Sequence, residues 1–446
     1  MKINRPELRE FLFGIYNDVL SMTFLHENYL FPDYYVMRRS FTKQLCKMYD
    51  FRIRADKIEK NKSGKIQKIL ILTDVLLTHK HSPTLMAIHI SEILTDLGYK
   101  VELMPMDNYS NILWEFPVFR PIYDLSDWRS SIFKDYHKKA CPPKVTIEYT
   151  DIVDGKERMQ KEWDKIVVFS PDLIIDWCGN PSIISCIYSQ YFPTLYLPTS
   201  GCQSSSYFTY YGVGSHDMFM EANNIYHSVE PEKEVSAPPF QVIPKAQCKY
   251  ERDTYPQAPL GQSDFVLISV GNRIGTELTE DFIDIVCEKL LTKQNIKWLI
   301  VGGQNDYLSQ RYIELLETNK IIYIPYEDDL PALYQICDVF LSPKRQGGGV
   351  SAFWAMYYGL PIAQPISVQA DAITIMGREN AVGETYEQIT EYILELWKNP
   401  DKYAEASNKM RKCALNLRRI EKGAWKDFIN MLEVKQQCDK TGESEM

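Results

Sequence analysis

From residue 66 to residue 363 short, unbroken apolar runs alternate with longer amphipathic stretches, and glycine or proline marks many of the joins. Residues 69–72 (ILIL) read as a strand. A helix follows to Leu97, Gly98 ends it, and 100–104 read as the next strand, a βαβ opening. Further strands are predicted at 165–169, 173–176 and 194–197. The second half restarts the pattern. Strands are predicted at 265–270, 297–301, 321–324 and 338–341, with helices at 279–293, near 307–318 and at 330–336 between them. Apolar runs too short for helices, separated by helical stretches, predict parallel sheets covered by helices on both faces. The fold class is therefore α/β, in two halves.

Residues 5–50 and those from about 385 onward read as helical, with the tail KTGESEM frayed. A stretch at 229–262, rich in Pro, Glu, Lys and Gln, reads as the inter-domain linker. The expected organisation is a helical segment with a basic linker (1–65), an α/β domain (66–250), a second α/β domain (251–415), and a terminal helix and tail (416–446). The N-terminal helical spacing of Phe11, Leu12, Ile15, Tyr16 and Leu20 suits burial against its own domain, and alternatively a partner or a membrane face.

The strongest chemical signal lies at 341–361, LSPKRQGGGVSAFWAMYYGLP. A strand runs into three glycines, and a helix from about Ala352 to Tyr358 is stopped by Gly359 and Pro361. First-turn amides without partners, a favourable helix dipole and missing side chains let a phosphate reach the backbone there. Arg273, in the GNRIG loop after the strand at 265–270, could neutralise such an anion, and Ser351 could donate a hydroxyl. The blander alternatives are an ion pair for Arg273 and plain helix membership for Ser351.

Composition narrows the class. The chain has 446 residues, 45% hydrophobic and 24% charged, which suits a globular protein of two or three domains. A net charge of −9 argues against general nucleic-acid binding. Ten scattered cysteines show no CxxC and no zinc spacing, no apolar run is long enough to cross a bilayer, and MKINRPELRE is not a signal peptide. The expectation is a reduced, cytoplasmic protein, with the inner membrane face as a possible peripheral site. The 29 tyrosines and 8 tryptophans suit sugar rings and equally suit core filling.

The 338–363 segment resembles the donor-site signature of nucleotide-sugar glycosyltransferases of the GT-B fold, especially bacterial group 1 enzymes with a GGGxS loop. GNRIGTELTEDF, LTHKHSPT and LYLPTS resemble other loops of the same enzymes, so the likeness runs from about 66 to 430. It implies two Rossmann-like doubly wound domains facing a cleft. A nucleotide sugar, expected to be a UDP-sugar, would sit on the C-terminal domain, and a glycan or protein acceptor on the N-terminal one. Position by position, Gly348, Gly349, Val350 and Ser351 would present amides to the diphosphate. Gly271, Asn272 and Arg273 would flank it, and Lys344, Arg345 and Gly347 join this donor set. Tyr323, Ile324, Pro325 and Tyr326 would line the base pocket. No metal is implied, because basic side chains and helix dipoles do its work.

The resemblance breaks at two positions. Where retaining members carry glutamates, this chain has Gln346 and Trp354. Gln346 can bond a sugar hydroxyl, whereas the Trp354 indole only donates and cannot accept from a ribose diol. Glu327, Asp328 and Asp329 are acidic residues nearby in sequence, read as solvated or as capping the next helix. His81, after the first strand, is the candidate acceptor-side base, with Ser82 and Thr84 beside it; His79, His216 and Asp217 are weaker. The catalytic set is thus His81, Arg273 and Gln346. Loss of the ribose acid also motivates a different class, a non-catalytic GT-B accessory or binding subunit of a glycosylation complex. An epimerase would need carboxylates that the sequence does not point to.

Overall fold

The computed structural model describes residues 12, 31–49, 51–58, 64–73, 76, 82–106, 146–147, 155–178, 182–199, 206–239, 241–242, 245–345, 347–367 and 371–441. The chain forms two compact units, one holding 28–240 and 420–446, the other 241–419.

The N-terminal unit is built on a seven-stranded sheet of order β3-β2-β1-β4-β5-β6-β7. Its strands are β1 Lys68–Thr73, β2 Lys100–Pro105, β3 Thr146–Ile147, β4 Leu173–Trp177, β5 Thr194–Tyr196, β6 Tyr210–Val213 and β7 Glu234–Ser236. Every described pairing is parallel, with Ile71 opposite both Leu103 and Ile175. β1 and β4 are buried almost end to end, as expected of strands covered on both faces. The helices are α1 Tyr34–Tyr49, α2 Ser82–Asp96, α3 Gly155–Phe169, α4 Ser185–Tyr191 and α5 His216–Tyr226. Gly98 takes a left-handed φ of 95° just after α2, the turn the sequence predicts.

The C-terminal unit carries a five-stranded parallel sheet of order β10-β9-β8-β11-β12. Its strands are β8 Phe265–Val270, β9 Ile296–Val301, β10 Ile321–Ile324, β11 Val339–Leu341 and β12 Ile362–Ala363. Its helices are α6 Ile274–Glu277, α7 Glu280–Val286, α8 Asp306–Arg311, α9 Ile313–Glu317, α10 Leu330–Tyr334, α11 Gly349–Tyr357, α12 Asp371–Met376, α13 Tyr386–Lys398 and α14 Pro400–Thr441. A hydrogen-bonded chain crosses this sheet: the Trp298 indole donates to Ser269 Oγ at 2.9 Å, and Ser269 donates to the Leu341 carbonyl at 2.6 Å. α14 belongs to both units by sequence; Trp425, Phe428, Ile429 and Leu432 form a buried helical stripe in its N-terminal-unit portion.

Three expectations are corrected. Residues 165–169 are the last turn of α3 rather than a strand. Met159, Trp163, Ile166 and Val167 share its buried face, while Val168 is 86% exposed. The boundary between the units, at 240/241, falls inside the 229–262 stretch expected as the inter-domain linker, which also supplies β7 and buries Tyr255 and Leu260. The helix expected at 279–293 is α7 followed by one π turn, Cys287–Leu291. The helix expected at 307–318 breaks at Tyr312, whose hydroxyl donates to Asp284 at 2.8 Å. Among the N-terminal residues with helical spacing only Leu12 is described, and it packs on the core of its unit; Phe11, Ile15, Tyr16 and Leu20 lie outside the described residues.

Candidate functional site

In the C-terminal unit the chain starts at the central strand β8, moves outward to β9 and β10, then returns to place β11 on the other side of β8. That reversal is where open parallel sheets bind ligands, beyond the carboxyl ends of the strands. The loops after β8, β9 and β11 meet there, and glycine makes the approach possible. A Cβ on Gly302 would lie 2.3 Å from the Gly271 carbonyl oxygen, and one on Gly275 would lie 2.1 Å from that of Gln304. Gly302 also has a φ of 114°, which L side chains rarely adopt.

The third loop ends in the helix terminus that the sequence suggests. Gly347 and Gly348 take φ of 91° and 80°, and α11 starts at Gly349 with Gly348 as its N-cap. The first intrahelical bond runs from the Ala352 amide to the Gly348 carbonyl at 3.0 Å, and no side chain caps the helix. The amides of Gly349, Val350 and Ser351 therefore precede the helical ladder.

Two arginines frame this terminus, and a buried glutamate holds both. Arg273 Nε and Nη2 donate to Glu277 Oε1 at 3.0 and 2.7 Å. Arg345 Nη1 donates to Glu277 Oε2 at 2.8 Å, and Arg345 Nη2 to the Val270 carbonyl at 2.8 Å. Burial works against the Glu277 charge, but Arg345 and then Arg273 outweigh it and hold the carboxyl below its ordinary range. The Arg345 guanidinium lies against Gly271 and Gly348: a Cβ on the first would sit 2.6 Å from Nη1, and on the second 2.4 Å from Nη2. Arg345 is thus buried beneath the loop, whereas Arg273 Nη2 lies 3.4 Å from the Cβ position of Gly347, at the loop itself. Glu277 was missed by sequence reasoning. The one available signal was its i,i+4 spacing from Arg273.

The remaining donor-side residues are scattered in role. Asn272 and Lys344 are exposed, and the Lys344 amide donates to the Tyr386 hydroxyl at 3.3 Å. The Tyr323 hydroxyl accepts from the Asn305 amide at 3.1 Å, Ile324 is buried, and Pro325 and Tyr326 are exposed. Gln346 lies outside the described residues.

Trp354 donates from its indole to the Val242 carbonyl at 2.9 Å. The Tyr358 hydroxyl accepts from the Ala246 amide, and Asp329 accepts from those of Gln247 and Cys248 at 2.6 and 2.9 Å. Together they fasten the start of this unit across α10 and α11. Asp329 also caps α10, as expected. Glu327, expected to be solvated or capping, is instead buried, accepting from Tyr250, Tyr255, Gln257 and the Asp329 amide.

On the N-terminal unit His81 and His79 lie outside the described residues. Ser82 and Thr84 stand in the first turn of α2, Ser82 half-buried and Thr84 buried. His216 is exposed and paired through Nδ1 with Glu234, which raises its pKa above the ordinary 6.5. Asp176, unremarked in the sequence, is fully buried at the carboxyl end of β4. Burial raises its pKa even though Tyr188 and Ser206 donate to Oδ2 at 2.8 and 2.7 Å.

Residues 253–413 match the family model described as "Glycosyl transferases group 1". No curated protein matches the chain. Among solved structures, an O-GlcNAc transferase variant of Thermobaculum terrenum aligns with a TM-score of 0.59 at 13% identity, covering 97% of this chain and 77% of its own. WaaG, a glycosyltransferase of lipopolysaccharide biosynthesis, aligns with a TM-score of 0.51 at 13% identity, over 81% of this chain and 99% of its own. S. aureus TarM in complex with fondaparinux, α-GlcNAc-glycerol and UDP aligns with a TM-score of 0.51 at 9% identity, over 82% and 100%. At these identities the likeness is one of fold.

Proposed function

With a group 1 glycosyl transferase domain in its C-terminal unit and a GT-B fold, we propose that this chain transfers a sugar from a UDP-sugar to a glycan or protein acceptor. The observation that carries the reading is the uncapped, glycine-led terminus of α11 beside Arg273 at the topological switch point. UDP is favoured among nucleotides because the similarly folded TarM holds it.

In this reading the amides of 348–351 and Arg273 meet the charge that grows on the diphosphate as the anomeric C–O bond breaks. The acceptor oxygen bonds to the anomeric carbon, its proton passes to a base, and UDP leaves. His81 is proposed as the acceptor-side group with Ser82 beside it, and Gln346 as a partner of a sugar hydroxyl. Asn272 and Lys344 flank the phosphates, while the backbone at 323–326 holds the base. Arg345 serves the same anion from beneath the loop, through the glycines it supports.

Thermal unfolding against UDP-, GDP-, ADP- and dTDP-sugars and the free nucleotides tests this, since a ligand of the native state raises the midpoint. A selective rise with UDP and its sugars is expected. A cooperative transition that none of them moves would overturn the reading and leave an accessory subunit as the alternative.

A further inference from the structure

We propose that Glu277 is a positioning residue of the donor site: a buried carboxylate that, through Arg345 and Arg273, ties the loop after β8 to the glycine loop after β11. The proposal rests on the donor-site reading and deepens it.

The two loops leave adjacent strands, β8 and β11, on either side of the crevice where the diphosphate would lie. In such a crevice a carboxylate is electrostatically unwelcome to the ligand, so its presence needs a reason. Its bonds supply one. Oε2 fixes Arg345 Nη1 while Val270 fixes Nη2, which stretches the guanidinium under Gly348, closer than any Cβ would allow. Oε1 takes both Arg273 donors and so sets that guanidinium at Gly347. One carboxylate against two cations leaves the cluster net positive, so the anion site survives while its geometry is fixed. α6, which carries Glu277, is too short to be an anion site of its own, and a brace is what it provides.

Glycine supplies the complement. A Cβ at Gly271 or Gly348 would meet the Arg345 guanidinium where it now lies between the loops. The brace and the glycine loop are therefore one device, and its product is the placement of the 349–351 amides.

Charge alone and bracing predict opposite signs. Removing a carboxylate beside an anion site should by Coulomb attraction strengthen UDP binding. Loss of the brace should weaken it. Calorimetric titration of the full chain with UDP, and donor KM and kcat, are compared for the wild type, Glu277→Gln, Glu277→Asp and Asp284→Asn. The last removes the same charge from α7, where it serves Tyr307, Tyr312 and Arg311. Expected are a tenfold or greater loss of UDP affinity in Glu277→Gln, with donor KM raised and kcat lowered as well, because the groups it places also serve the leaving diphosphate. Glu277→Asp should recover part of the affinity, and Asp284→Asn should match the wild type. Should Glu277→Gln not fold, Glu277→Asp carries the test, with weakened binding expected because the shorter side chain cannot span both arginines. Equal or tighter UDP binding in a folded Glu277 variant overturns the proposal alone. A wild type that binds no nucleoside diphosphate overturns the donor-site reading and this role with it.

Discussion

At the residue scale the candidate site depends on atoms that are missing as much as on those present. A Cβ at Gly348 would collide with the Arg345 guanidinium and impose a side chain on a left-handed φ of 80°. Gly348→Ala is expected to destabilise the C-terminal unit by about 1–3 kcal/mol and to abolish UDP binding, read by denaturant unfolding and titration of the same sample. Arg273 should behave differently, being only partly buried and at the loop. Arg273→Ala is expected to keep the fold and lose about 100-fold in donor kcat/KM, in the range seen when one oxyanion donor is removed. Unchanged turnover in a folded variant would exclude Arg273 from leaving-group stabilisation. The sequence showed Arg273 and the triple glycine plainly, because strand, glycines and helix start are consecutive. It did not show Glu277 as a partner of Arg345, since that pair is 68 residues apart.

At the element scale local pattern was readable wherever one periodicity dominated. β1, β2, β4, β8, β9 and β10 fall within a residue or two of their predicted places because each is a short, mostly apolar run. The error at 165–169 has the same origin. KIVVF is apolar enough to pass for a strand, and only the wider window with Met159 and Trp163 exposes the helical period. Trp163 is fully buried in that face and touches Tyr191 and Phe192. Trp163→Ala should therefore cost about 3–5 kcal/mol in urea unfolding of the N-terminal unit, whereas Val168→Ala should cost almost nothing. A comparable loss for both would contradict the helical assignment. β7 and β12 were missed because strands of two or three residues carry no period and exist by pairing with a neighbour.

At the scale of the whole molecule the two units should respond to acid with opposite signs at their buried carboxylates. Glu277 is held below its ordinary 4.5, so its stabilising contribution is present above that value and disappears as pH falls through its folded pKa. Asp176 is raised above its ordinary 3.8 by burial, so its favourable state is the protonated one, complete at low pH and lost as pH rises through its folded pKa. Hydrogen exchange at pH 7 and near pH 4 should show protection falling more at 265–277 and 339–356 than at 173–177. Asp176→Asn should leave stability at pH 7 unchanged or raised, because the amide is neutral and keeps an acceptor for Tyr188 and Ser206. A marked drop in its melting temperature would show that Asp176 is held ionised.

The amino-acid sequence by itself determined the α/β class, the restart of the pattern near residue 265, and the glycine-led helix terminus, because these are written in neighbouring residues. Tertiary structure decided what those residues face. Arg345, read from sequence as a donor contact, is buried against Glu277; Trp354 fastens Val242; and Glu327 is buried among tyrosines. Each outcome turns on a partner far along the chain, and loop-to-loop packing, which joins such partners, leaves no periodic trace in the sequence.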